Sequence, residues 1–214
     1  MTVLLRKTAA PALPNGDPQY TPGMLDQYSR ILRLYFREID NVTQNLLGVN
    51  GGSFLQFPHA MLMSDEDQAS GGTTVANTLT YNQPVITQGI EVKNGGEIWF
   101  EIPGQYLVTF SLQVTNRSNA EQVFEVWAAY DGTNYPLSNT RYDIPARKNE
   151  STWSHIAPAI SGIFTVTDPD NDYLSIKWWA SSTDVFLENY AAGTNPTRPE
   201  IPSVIMTVNM ISRL

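Results

Sequence analysis

Residues 105–115 read Q-Y-L-V-T-F-S-L-Q-V-T, and the alternation within them decides the fold class. Tyr106, Val108, Phe110, Leu112 and Val114 fall on one side, with Gln105, Thr109, Ser111 and Gln113 on the other. Successive side chains of a strand point to opposite faces, so this stretch is a strand with one apolar, inward face. The same period of two recurs at 173–180 (Leu174, Ile176, Trp178), at 185–190 (Phe186, Tyr190) and at 204–210 (Val204, Met206, Val208, Met210). Turn clusters lie between such runs: Asn94-Gly95-Gly96, Asp131-Gly132-Thr133 and Asp168-Pro169-Asp170-Asn171. Short strands at this spacing predict a mainly β chain, with an antiparallel jelly-roll sandwich over residues 54–214. No helical pattern of comparable quality follows residue 56, and there is no internal repeat of fixed period.

Upstream of residue 54 the period changes. Leu25, Leu32, Ile39 and Leu46 recur every seven residues, and Tyr28, Tyr35, Val42 and Val49 repeat the pattern three places on. These are the a and d positions of a short coiled coil, predicted as a helix over 21–49. Thr21-Pro22 supplies an N-cap with proline at the first helical position, and Gly48 with Asn50-Gly51-Gly52 supplies the stop. A helix of roughly 37 Å at 1.5 Å per residue cannot bury such a stripe against itself. It meets copies of itself or lies on its own globular part, and Ile31, Leu34 and Phe36 widen the apolar face in the second direction. Leucine at a, with valine and tyrosine at d, favours three or four strands over two.

Residues 1–20 form a third region, an extended N-terminal arm. Pro11, Pro14, Pro18 and Asn15-Gly16 oppose regular structure there, while Val3, Leu4 and Leu5 make an apolar tip followed by Arg6 and Lys7. Such an arm orders on a partner, so Val3, Leu4, Leu5, Arg6 and Lys7 are its candidate anchor residues.

The formal charge of −8 is unevenly placed. Arg6, Lys7, Arg30, Arg33 and Arg37 against Asp17, Asp26, Glu38 and Asp40 give +1 over residues 1–56, which leaves −9 for the remainder. An acidic main domain disfavours nucleic acid and anionic membrane surfaces. No apolar run approaches the roughly 18 residues of a membrane span, and Met1 to Leu5 is too short for a secretory signal. The chain therefore reads as soluble and unprocessed. The absence of cysteine excludes disulfides, thiolate metal sites and a cysteine nucleophile.

Catalytic chemistry is hard to assemble from these residues. Only His59 and His155 are available as imidazole bases, and Gly-x-Ser-x-Gly, His-Glu-x-x-His and phosphate-loop motifs are all missing. Two acid clusters, Asp65-Glu66-Asp67 and Asp168/Asp170/Asp172, are the candidates for carboxylate chemistry, but both stand in turn-like surroundings. The second cluster spaces its acids as a calcium loop does, yet it has Tyr173 where glycine is needed and Trp179 where the bidentate glutamate belongs. A hairpin turn is the expectation, with no metal and no cofactor. Trp178 and Trp179 are adjacent, so one faces the core and the other a neighbour, a loop or solvent. Trp153 and Trp179 are the candidates for stacking on a sugar ring. Asn41-Val42-Thr43, Asn116-Arg117-Ser118 and Asn149-Glu150-Ser151 match glycosylation acceptors, relevant only to a eukaryotic secretory route.

Two resemblances sharpen the functional expectation. The segment E-I-W-F-E-I-P-G-Q-Y-L-V-T-F-S-L-Q-V (97–114) resembles the central strand motif of complement and tumour-necrosis-factor-like jelly-roll heads. F-P-H-A-M-L and S-V-I-M-T-V-N-M-I-S stand where the first and last strands of such heads stand. The run L-D-Q-Y-S-R-I-L-R-L-Y-F-R-E-I-D-N-V (25–42) is similar to N-terminal helices of structural proteins in marine bacteriophages. Together they imply a non-enzymatic, homotrimeric virion protein, a tail fibre or knob made in the host cytoplasm and joined to other virion proteins through the arm. A capsid decoration trimer, or a glycan- or receptor-binding module for host attachment, is the alternative of the same fold. A carboxylate-based depolymerase ranks behind both. Fold analogy alone carries this step.

Overall fold

The computed structural model describes Pro11, the helix Pro22–Leu47 and residues 57–214, with side-chain surroundings in the helix given for Gly23 and residues 25–43. The chain divides into two compact units after Gln56. In the first, the helix begins at Pro22, where a proline lacks only an N–H that has no partner in a first turn. The arm residues Val3, Leu4, Leu5, Arg6 and Lys7, the Leu46 side chain and Val49 lie outside the described residues. Among the described residues, no helix is long and apolar enough to cross a membrane.

The second unit is an antiparallel β sandwich. One sheet has five strands in the order Ala159–Val166, Gly104–Leu112, Val204–Arg213, His59–Ser64 and Gln83–Gln88. The other main sheet runs Thr133–Asn134, Gln122–Tyr130, Tyr173–Ala180, Glu97–Phe100 and Ile90–Lys93, with Thr140–Ile144 and Asn77–Thr78 attached beside it. A four-stranded sheet joins Ser154–Ile156, Val114–Asn116, Val185–Leu187 and Gln68–Ala69. The strand expected over 185–190 is thus shorter, ending at Leu187.

The alternation at 105–115 sets the register. Val108 stands opposite Val208 on one side and Gly162 on the other, and Phe110 opposite Met206 and Ile160. Tyr106, Val108, Phe110 and Leu112 therefore face inward beside Met206 and Val208, against Phe124, Val126, Ile176 and Trp178 of the facing sheet, in one buried cluster. At roughly 25 cal/mol per Å² of apolar area, this burial is the main favourable term for the unit. The Tyr106 hydroxyl donates to the Ile102 carbonyl at 2.6 Å, and burial, then the Glu101 charge, pushes the phenol up to about 12.

Adjacent tryptophans separate as a strand requires: Trp178 is buried, while Trp179 is partly exposed and its Nε1–H donates to the Thr73 carbonyl at 2.7 Å. Two of the turn clusters show why glycine stands in them. Gly95 (φ +77°) and Gly132 (φ +74°) follow Asn94 and Asp131, themselves at +48° and +49°. Gly96 answers a different need, because a Cβ there would fall 2.7 Å from Thr78 Cγ2 and against the Leu79 carbonyl oxygen.

Candidate assembly surface and polar cluster

On the helix, Leu25 is 54% exposed and Leu32 37% exposed, while Tyr28, Tyr35, Ile39 and Val42 are half-buried. These six residues cover about five consecutive turns of one side. Phe36, outside the a/d register, is also exposed and widens the apolar surface, whereas Leu34, expected to do the same, lies on the far side. On the opposite side Arg30, Arg33 and Arg37 share a shallow groove with Asp26, Ser29 and Leu34. The helix is therefore two-faced, one side apolar and one basic.

In the β unit, polar side chains gather on the face of the four-stranded sheet turned away from the core. Thr115 pairs with His155 on one neighbouring strand and with Phe186 on the other. Glu188 and Tyr190 follow directly after the Phe186 strand and close over the same spot. Thr115 Oγ1 donates to Glu188 Oε2 at 2.5 Å, and the Tyr190 hydroxyl lies 2.5 Å from His155 Nδ1. His155 Nδ1 is also 2.8 Å from Thr115 Oγ1 and 3.6 Å from Glu188 Oε2. Burial above all pushes the Tyr190 phenol up to about 12, against the pull of Thr115, with Glu188 and Asp67 adding to the rise. Tyr190 is accordingly protonated at neutral pH and able to donate within the cluster.

The residue types are those of a hydrolytic triad, but their order is not. A triad joins its nucleophile to one ring nitrogen and its acid to the other. Here Thr115, Tyr190 and Glu188 all crowd Nδ1, and Thr115 is fully buried. The cluster ties three strands together. His59 is engaged separately, its Nδ1–H donating to the Phe57 carbonyl at 2.8 Å.

The acid clusters resolve into loop fasteners. Asp65 accepts from the Asn82 and Gln83 amides at 2.5 and 3.1 Å, and Asp67 accepts the Asn189 N–H at 2.8 Å. In the 168–172 turn, Asp172 points inward and does not converge with its neighbours. Its Oδ2 accepts the Thr167 and Asp168 N–H groups at 2.8 and 2.7 Å and the Thr167 hydroxyl at 3.2 Å. Among the described residues, no group of three or more His, Asp or Glu side chains is placed to hold a metal ion.

For Asp172, burial alone would raise the pKa, but the Tyr130 hydroxyl beside it and the Asp168 and Thr167 donors outweigh that and hold it below its ordinary value of 3.8. A carboxyl lowered on folding stabilises the fold above its unfolded pKa, and this contribution disappears as pH falls through the folded value. Asp172→Asn is therefore expected to cost about 1–3 kcal/mol at pH 7. It should also flatten the loss of stability below about pH 4. Urea unfolding of both chains between pH 2 and pH 7 measures this, and parallel acid limbs would exclude it.

The candidate sugar contacts are occupied by protein. Arg117 lies 5.4 Å from the Trp153 ring centre and 4.3 Å from that of Phe186, and Trp153 meets Phe186 edge-on. Trp153 stands just before the Ser154–Ile156 strand, and Trp179 on the Tyr173–Ala180 strand of the other main sheet. Asn116 is fully buried, its amide donating to the Ala120 and Pro145 carbonyls at 2.9 Å, which closes it to a glycan.

Sequence reasoning missed Thr115, Glu188 and Tyr190 as a group, since no local spacing joins positions 73 to 75 residues apart. Comparison with known protein families and with curated proteins gives no match for this chain.

Proposed function

We propose that this chain is a non-enzymatic structural protein of a bacteriophage particle, a homotrimeric fibre or knob whose helix sets the trimer and whose jelly-roll head projects. One observation carries the reading: the helix presents Leu25, Tyr28, Leu32, Tyr35, Ile39 and Val42 along one side, with both leucines exposed in the single chain. Three such stripes bury one another, and the basic side then faces outward. The order of arm, helix and β head, and the likeness of residues 25–42 to phage structural helices, support placing it on a virion with the arm as its attachment.

Sedimentation equilibrium of the full chain is expected to return about three times the 23.9 kDa mass of one chain, independent of concentration in the micromolar range. A monomer would overturn the reading. Antibody labelling of intact particles then separates the two virion roles: label at the tail supports a fibre or knob, and label spread over the capsid replaces it with a decoration trimer. Binding of the isolated protein to a host glycan, lost in Trp179→Ala, would replace both with an attachment module.

A further inference from the structure

We infer that the outer face of the second main sheet binds a neutral sugar ring, in a groove between Gln122–Tyr130 and the loop that follows Thr133–Asn134. The site goes beyond the fibre or knob reading and does not depend on the number of copies. Glu125 and Trp127 are alternate residues of Gln122–Tyr130, so both point away from the core. Asn134 ends one short strand and Asn139 precedes Thr140–Ile144, and both strands pair with Gln122–Tyr130. The four side chains, with Tyr135 and Leu137, line a groove of about 280 Å³. That is close to the small end of the roughly 300–1,000 Å³ usual for small-molecule sites, which suits one ring rather than a long chain.

Donor chemistry fixes which way both amides point. An indole N–H only donates, so Trp127 Nε1–H, at 2.8 Å, faces the Asn134 oxygen and leaves the Asn134 NH2 unused. A carboxylate only accepts, so Glu125 Oε2 takes the Asn139 NH2 at 2.8 Å and leaves the Asn139 oxygen unused. Arg141 stands opposite Glu125 on the neighbouring strand but is turned to Asp143, at 3.3 Å. Glu125 therefore has no ion pair among the described residues. A donor amide and two acceptor oxygens, each steadied by a neighbour, thus stand beside the half-buried Trp127 ring and the exposed Tyr135 ring.

A ligand for this groove has to donate and accept within one small area and lay a C–H face on an aromatic ring. The adjacent hydroxyls of a pyranose do both. A cation only donates, and would leave the Asn134 amide unmet. An anion, a nucleotide included, meets Glu125 and a unit of formal charge −9 over residues 57–214. A purely apolar partner would strand three polar groups. The loop itself is pinned. Tyr135 N–H donates to the Ala128 carbonyl, Ala128 N–H to Ser138 Oγ, and the Ser138 hydroxyl to the Tyr135 carbonyl, at 2.9, 3.1 and 2.7 Å. Leu137, on the groove's rim, is held at φ +61°, a conformation branched residues rarely adopt and one that binding sites retain.

The probe is a panel of methyl pyranosides, of glucose, galactose, mannose and N-acetylglucosamine, titrated into the full-length chain. Amide signals of residues 133–139 are followed by NMR. At least one pyranoside is expected to shift them with millimolar affinity, the range open to a ligand of so few atoms. Trp127→Ala should weaken that binding about tenfold, through lost stacking, and Asn139→Ala about fivefold, through one lost hydrogen bond. Asn139 is exposed, so its removal tests the groove without touching the core. Trp179→Ala, whose ring is tied to the Thr73 carbonyl, should bind within about twofold of the parent chain. A panel that leaves these signals unmoved overturns the site. So does equal weakening by Trp179→Ala, or tighter binding of tetramethylammonium or adenosine monophosphate than of any pyranoside. A trimer that binds no pyranoside overturns the groove alone, and a monomer that binds one overturns the assembly reading alone.

Discussion

The double variant Leu32→Asp/Ile39→Asp is expected to sediment as a monomer with a folded head. Both positions are a sites, so a trimer would gather three carboxylates at each of two levels of its axis. Withdrawing one buried leucine or isoleucine already forfeits about 1.5–3 kcal/mol of transfer free energy per chain. Placing an unpaired charge there costs several more, and each copy pays it. Association of three short helices has no reserve of that size, since ordering entropy already opposes it. The β unit is compact by itself, so far-UV circular dichroism should keep its strand signal while the helical signal falls. Leu34→Asp is the matched control: Leu34 is 57% exposed and lies outside the a/d register. Dissociation by Leu34→Asp with an unchanged double variant would mean that the helix assembles through the side that carries Arg30, Arg33 and Arg37, and the heptad account would be wrong.

How much of this could be read beforehand differs by element, for physical reasons. Period-two alternation fixes which side of a strand is apolar, so the inward set from Tyr106 to Val114 was legible residue by residue, as was the split of Trp178 from Trp179. The glycine-bearing turns were legible because left-handed backbone has few residue choices. Alternation fails at Thr115, a polar-side residue that is nonetheless fully buried. Its outer face is covered by His155, Glu188 and Tyr190, brought from remote strands whose pairing no local pattern encodes. The edge position of Ala159–Val166 was hidden for the same reason: being last in a sheet is a property of topology. The helix start was legible because proline at a first turn has a local cause.

The deepest test of the head is Trp178. It is 1% exposed, its ring lies 5.8 Å from that of Phe124, and its Nε1–H is buried with no acceptor. Trp178→Ala is expected to lose about 3–5 kcal/mol through lost burial and an unfilled cavity. That is a large share of the roughly 5–15 kcal/mol that holds a domain together. Trp178→Phe should lose less than half as much. It keeps an aromatic ring against Phe124 and removes a donor whose burial without an acceptor costs about 1–3 kcal/mol. Urea unfolding followed by circular dichroism ranks the three chains. Equal losses for phenylalanine and alanine would mean that the indole N–H is hydrogen-bonded inside the core after all.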